Sequence, residues 1–170
     1  YHALHGDSHA DHLARAKIAA DQRTSACANP DAAFFGQKDA AQVANIRRMV
    51  RDLNFPVKIV ACPIIREPDG LAMSSRNAYL SAEERQRALV LQSSLQTVES
   101  EFRAGERSAT KLIAAAREGF AREPQVRLDY IEIVDPDTLD PVASISGPAM
   151  VAVAAYVGTT RLIDNLVLNS

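Results

Sequence analysis

The sequence predicts an α/β protein, a strand–helix–strand unit followed by a small α+β domain with a helix pair and an antiparallel sheet. Three observations carry this. Apolar runs at 32–35 and 57–65 flank a stretch in which Val43, Ile46, Val50 and Leu53 recur at helical spacing. Beyond Ser81, two amphipathic stretches follow one another, divided by Gly105. The last third holds apolar runs at 126–133, 150–157 and 162–168, separated by Pro- and Gly-containing turns.

The elements follow in order. Residues 11–20 read as a helix with a thin apolar face of Leu13, Ile18 and alanines. The run at 32–35 lies between Pro30 and Gly36 and reads as a buried strand ending in a turn. Asp39 stands at the N-cap position of the next helix, whose outer side carries Arg47, Arg48, Arg51 and Asp52, and Pro56 is expected to stop it. The second strand, 57–65, reads as buried on both faces, so the two strands form a parallel pair. Glu67, Pro68, Asp69 and Gly70 make a turn, and 71–77 is a small-residue loop. Ser81 and Glu84 have capping-box spacing, and that helix runs through Leu89, Leu91, Leu95 and Val98 to about Arg103, ended by Gly105. Ser108 is expected to cap a further helix with Leu112, Ile113, Ala116 and Phe120 inward and Pro124 just past its end. The change of pattern near Ser81 places the domain boundary there, with 1–81 and 82–170 as the two domains.

Composition excludes several functions. The net charge is −2 with acids and bases interspersed, and there is no Trp, so nothing favours a nucleic-acid partner. No apolar run approaches the roughly 18 residues of a membrane span. Cys27 and Cys62 are the only cysteines and lie far apart, which argues against a disulfide framework or zinc site and points to a reducing cytoplasm. The chain opens at Tyr1 rather than Met, as a fragment or processed product would.

Two clusters can carry chemistry. In the first, Phe34, Phe35, Gly36, Gln37, Lys38 and Asp39 lie between a strand and a helix. Gly36 lets a ligand approach the backbone, the helix N-terminus favours anions, and Lys38 adds a full positive charge. Asp39 either holds a magnesium ion or caps the helix. In the second, Met73, Ser74, Ser75, Arg76 and Asn77 gather hydroxyls, a guanidinium and an amide suited to phosphate oxygens. In a parallel α/β sheet both clusters would lie beyond strand C-terminal ends, where ligands bind. Each also has a plainer reading, the first as a solvated turn with an N-cap and the second as an ordinary loop. His5, His9 and His12 read as a metal site or as part of a tail.

A resemblance favours the functional readings. Phe35-Gly36-Gln37-Lys38-Asp39, with Gln42 and Ile46-Arg47-Arg48-Met49-Val50, resembles the pantothenate synthetase (pantoate–β-alanine ligase) pattern phenylalanine-glycine-glutamate-lysine-aspartate and its helix. The run Arg66-Glu67-Pro68-Asp69-Gly70-Leu71-Ala72-Met73-Ser74-Ser75-Arg76-Asn77-Ala78-Tyr79-Leu80 continues it at the family's spacing. Asp129-Tyr130-Ile131-Glu132 and Gly158-Thr159-Thr160-Arg161-Leu162-Ile163-Asp164-Asn165 are similar to the family's C-terminal domain.

The resemblance implies a partial Rossmann-like nucleotidyltransferase domain followed by a lid domain. It implies ATP-dependent condensation of pantoate with β-alanine through a pantoyl-adenylate, giving pantothenate, AMP and diphosphate, with ATP and magnesium as cofactors. Lys38 would contact ATP phosphates, and Gly36 and Asp39 would line the nucleotide site, Asp39 with magnesium. Gln42 would hydrogen-bond pantoate, and the backbone at Ile65 would meet adenine. Met73, Ser74, Ser75 and Arg76 would be the counterpart of the superfamily's lysine-methionine-serine-lysine-serine loop and hold the leaving phosphates. A homodimer is a candidate assembly.

The family's histidine-x-glycine-histidine motif is absent, and Ala40 and Ala78 replace a usual aromatic residue and arginine. Residues 1–29 fit either the segment just upstream of the Lys38 cluster or, through Ala3-Leu4-His5 and Ala28-Asn29-Pro30, the two ends of a deletion. The alternative function is a non-catalytic, truncated ligase that at most binds nucleotide or a partner.

Overall fold

The computed structural model describes residues 30–169, so the helix expected over 11–20 and His5, His9 and His12 lie outside the described residues. The chain divides into two compact units, one reaching Pro63 and including Asp137–Leu139, the other formed by Ile64–Pro136 and the residues from Asp140 onward.

The first unit contains β1 (Ala32–Gly36), a 3-10 turn (Gln37–Asp39), α1 (Ala40–Asp52) and β2 (Lys58–Cys62). The strands pair in parallel, with Ala32 opposite Lys58 and Gly36 opposite Cys62. This is the expected strand–helix–strand unit. Val43 and Ile46 supply the buried stripe of α1, at 3% and 2% exposure.

Three expectations are corrected here. First, α1 ends before Pro56 takes effect. The Phe55 N–H donates to the Val50 carbonyl (3.0 Å) and the Asn54 N–H to that of Arg51 (3.2 Å), with Asn54 at φ 51°. That is a Schellman end, with asparagine in the left-handed position usually given to glycine. Second, Leu53 is the C-cap residue, its N–H still donating to the Met49 carbonyl (3.0 Å), and its side chain is exposed rather than part of the buried stripe. Third, the strands are not fully buried: β2 is at most half-buried, and Phe34 is 68% exposed. Successive strand side chains alternate in direction, and Phe34 points opposite to Ala33 and Phe35.

In the second unit, Ile64 and Ile65 do not continue β2. They enter a tight hairpin in which the Met73 N–H donates to the Ile65 carbonyl (2.9 Å) and Arg66 pairs with Ala72. A second 3-10 turn (Ser75–Tyr79) follows, then α2 (Ala82–Ala88), α3 (Val90–Arg103) and α4 (Ala109–Ala121), then β3 (Val126–Val134), β4 (Ala149–Val157) and β5 (Thr160–Leu168). The capping box is present. The Glu84 N–H donates to Ser81 Oγ (3.2 Å), and the Ser81 N–H donates to the Glu84 carboxylate (2.9 Å). The single helix expected beyond it is interrupted at Leu89.

Ser108 stands at the N-cap of α4 but makes no capping bond with its side chain. The neighbouring Glu106 carboxylate orders the entry to the helix, accepting from the N–H groups of Ser108 (2.8 Å) and Arg107 (2.9 Å), both of which precede the first helical residue. Those backbone bonds hold its carboxyl below the ordinary glutamate range.

The sheet is antiparallel in the order β3-β4-β5. One face, through Ile131, Ile133, Val151, Val153 and Leu162, packs on Leu91, Leu95, Val98, Leu112 and Phe120 of the helices. Residues 64–81, assigned by sequence to the first domain, belong to this second compact unit, tied to it by hydrogen bonds to α2 and β5. Among the described residues no helix is long and apolar enough to cross a membrane.

Candidate functional site

In the first unit, four sequence-predicted residues gather where β1 gives way to α1. Gly36 closes the strand with ordinary extended angles (φ −70°, ψ 130°), and a Cβ placed on it would meet nothing within 4 Å. Neither backbone conformation nor packing thus requires glycine there. What its missing side chain provides is open access to the backbone.

Lys38 follows, half-buried, and Asp39 is exposed at the N-cap of α1. The Asp39 side chain makes no capping bond, so the capping reading is not realised. The first turn of α1 contains no acidic residue, so Asp39 at the N-cap is the carboxylate beside the positive end of the helix dipole. Gln42 is half-buried on that first turn. No three His, Cys, Asp or Glu side chains converge among the described residues. Asp39, the residue expected to hold magnesium, could serve such an ion only with phosphate oxygens and water completing its shell, as is usual for that ion.

In the second unit, the loop at 73–76 rests on a rigid frame. Gly70 makes the turn possible: its φ is +97°, and its N–H donates to the Glu67 carbonyl (2.8 Å). The Arg66 guanidinium forks onto Asp164 of β5, at 2.7 and 3.1 Å, and also donates to the Gly70 carbonyl (3.1 Å). Arg85 of α2 donates to Asp69 (2.6 Å) and Glu67 (2.5 Å). Asn77 donates to the other Glu67 oxygen (2.6 Å) and to the Ala72 carbonyl (3.2 Å). Hydrogen bonds from Asn77 and then Arg85 hold the Glu67 carboxyl below the ordinary range, and the bond from Arg85 does the same for Asp69.

Above this frame the loop turns outward. Ala72 and Asn77 are buried at its two ends, whereas Met73, Ser75 and Arg76 are exposed and Ser74 is half-buried. The Ser74 hydroxyl accepts the Arg76 N–H at 3.3 Å and begins the 3-10 turn. The Arg76 guanidinium has no acidic partner among the described residues. Ile65 and Met73 stand opposite each other across the hairpin, both exposed, forming an apolar step beside the polar loop.

The structure thus gathers Gly36, Lys38, Asp39 and Gln42 in one unit and Ile65, Met73, Ser74, Ser75 and Arg76 in the other. Asn77, expected from the sequence to offer its amide to phosphate oxygens, is instead buried and spends that amide on Glu67 and the Ala72 carbonyl. The other supporting residues, Arg66, Glu67, Asp69, Arg85 and Asp164, were not singled out from the sequence. The run at 66–80 and the pair Asp164-Asn165 held part of that signal. Arg85 gave none, since it reads as one more exposed charge on an amphipathic helix.

Comparison with known proteins identifies the family. The pantoate-beta-alanine ligase family profile matches residues 4–167. The pantothenate synthetase of Acidobacterium capsulatum is 61% identical over 139 residues, which is 82% of this chain and 46% of that protein. The crystal structure of the enzyme from Thermus thermophilus superposes with a TM-score of 0.80 at 43% identity, covering 85% of this chain and 52% of that one. A pantoate-beta-alanine ligase from Francisella tularensis, solved in complex with beta-gamma ATP and beta-alanine, superposes at 0.54 with 26% identity, covering 81% and 43%. The chain spans about half the length of the curated relatives it matches. With the family profile covering nearly its whole length and the fold shared with the Thermus structure, the chain belongs to the pantoate-beta-alanine ligase family.

Proposed function

We propose that this chain serves ATP-dependent condensation of pantoate with β-alanine through a pantoyl-adenylate, releasing diphosphate and then AMP. The observation that carries this reading is the exposed Arg76 guanidinium beside Ser74 and Ser75, on a loop whose supporting charges, Arg85 with Glu67 and Asp69, are paired with one another. A charge held outward on a rigid base and not used in folding suits an anionic ligand. The Francisella relative, solved with a nucleotide and beta-alanine, supports the same substrates.

In this reading Lys38, Ser74, Ser75 and Arg76 stabilise charge on the transferring and leaving phosphates. Gly36 admits the nucleotide to the backbone at the head of α1. Ile65 and Met73 offer the purine an apolar step, and Gln42 hydrogen-bonds pantoate. The pantoate carboxylate, with a pKa of about 4, is ionised at neutral pH, and its attack on the α-phosphorus needs no general base. Diphosphate leaves as the P–O bond forms. The neutral amine of β-alanine then attacks the acyl carbon, AMP departs, and the amine loses its proton. Asp39 would hold magnesium, which supplies positive charge to the phosphate oxygens.

The test is release of diphosphate and AMP from ATP by this chain. Diphosphate release that requires pantoate, with AMP turnover that also requires β-alanine, is the expected result. A folded sample that releases neither overturns the reading for this chain. The cytoplasmic setting argued from the two distant cysteines belongs to the same proposal, as does a homodimer, which sedimentation equilibrium would detect as twice the chain mass.

A further inference from the structure

The frame below the 73–76 loop has a hierarchy that points to one residue outside the loop. Asn77 closes the loop, its single amide nitrogen bridging the Ala72 carbonyl at the loop's start (3.2 Å) and Glu67 (2.6 Å). The amide oxygen of Asn77 is buried and has no hydrogen-bond partner among the described residues. A buried acceptor without a donor works against this arrangement. The short, charge-assisted bond to Glu67 offsets it, provided that Glu67 is itself held in place.

Glu67 is held by Arg85, which projects from α2 and makes two bonds at once. Its Nε donates to Asp69 and one terminal nitrogen donates to Glu67. The second oxygen of Asp69 accepts the Leu71 N–H (3.2 Å), on the segment leading to the loop. One guanidinium therefore fixes both the approach to the loop, through Asp69 and Leu71, and its closure, through Glu67 and Asn77. Its planar fork suits two carboxylates, whereas an ammonium could satisfy only one of them well.

We propose that Arg85 is a positioning residue for the phosphate-binding loop: without touching a ligand, it holds Glu67 and Asp69 so that Asn77 closes the loop and Ser74, Ser75 and Arg76 stand ready. This rests on the nucleotide reading given above. It differs from a purely structural role in what it affects. Loss of Arg85 should loosen the phosphate grip and leave recognition of the nucleoside intact.

The test measures affinities of ATP and adenosine by titration calorimetry on the full chain, for wild type, Arg85→Ala, Arg85→Lys and Glu67→Gln. Arg85→Ala should lower ATP affinity about tenfold, the scale of one charge-assisted bond's worth of ordering, with adenosine unchanged. Arg85→Lys should recover part of that loss. If Arg85→Ala unfolds by circular dichroism, Glu67→Gln reads the same link from its middle, since one of the two oxygens that accept separately from Asn77 and Arg85 becomes an amide nitrogen facing a donor and the charge is lost, and the same selective loss is expected. An unchanged ATP-to-adenosine ratio, or equal loss of both ligands, overturns the proposal while leaving the nucleotide site standing. A wild type that binds ATP no better than adenosine overturns the phosphate reading itself, and the role of Arg85 with it.

Discussion

Replacing Arg66 by Met keeps the aliphatic stem but leaves Asp164 without its guanidinium. The pair is bidentate at 2.7 and 3.1 Å, and the carboxylate is only 3% exposed while the arginine side chain is 28% exposed. Removing one partner of a fully buried pair costs about 3–5 kcal/mol. Partial solvent access to Arg66 reduces that, and the backbone N–H of Asn165 still donates to Asp164 (2.8 Å), so a loss of about 2–3 kcal/mol is expected. For a chain of this length that corresponds to a fall in Tm of roughly 5–10 °C. Circular dichroism at 222 nm during a thermal ramp measures it. The double variant Arg66→Met/Asp164→Leu removes both charges and should recover most of the loss, because an unpaired buried carboxylate is then no longer present. A fall below about 2 °C for Arg66→Met, or a double variant no better than the sum of its parts, would refute the reasoning.

Three further outcomes follow from the same geometry. Gly36→Ala should leave stability unchanged or raise it by about 0.5 kcal/mol, since a Cβ meets nothing within 4 Å, yet weaken ATP binding; unaltered ATP affinity by calorimetry would mean that no ligand approaches that backbone. Lys38→Ala should lower ATP affinity about 10- to 100-fold, as loss of a charged hydrogen bond does, and leave adenosine untouched, so equal affinities for both proteins would remove Lys38 from the phosphate site. Glu67 and Asp69 are held below their ordinary pKa values in the folded chain, so the unfolded chain takes up their protons first as pH falls. Their contribution is full above about pH 5, declines through the ordinary carboxylate range near 4, and is gone below the folded values. Urea midpoints between pH 5 and 3 should fall less steeply in Arg85→Ala than in wild type, and parallel curves would count against the ion-pair frame.

Much of the fold was legible because its rules are local. The period of Val43 and Ile46, the Ser81 and Glu84 capping box, and the apolar runs of the three C-terminal strands each act within a few residues. The errors arose where a distant or subtler partner decided the outcome. Pro56 was read as the helix stop, but Asn54 had already ended the helix in a left-handed turn. Ser108 stands at the expected N-cap position, but its hydroxyl makes no capping bond, and the Glu106 carboxylate orders the approach by accepting from the Arg107 and Ser108 N–H groups. Ile64 and Ile65 were read as strand because apolar residues alone do not reveal that the hairpin at Gly70 captures them.

By itself, the sequence determined which residue types stand in the two clusters: Gly36, Lys38 and Asp39 at a helix start, and Ser74, Ser75 and Arg76 in a loop. Spacing along the chain settles that, since neighbours in sequence are neighbours in space. Only the tertiary structure decided what holds the second cluster up. Arg66 meets Asp164 across 98 residues, and Arg85 meets Glu67 across 18. No local period encodes such pairs. They form because the packing of helices on the β3-β4-β5 sheet brings the hairpin within reach of charges that would otherwise be solvated separately.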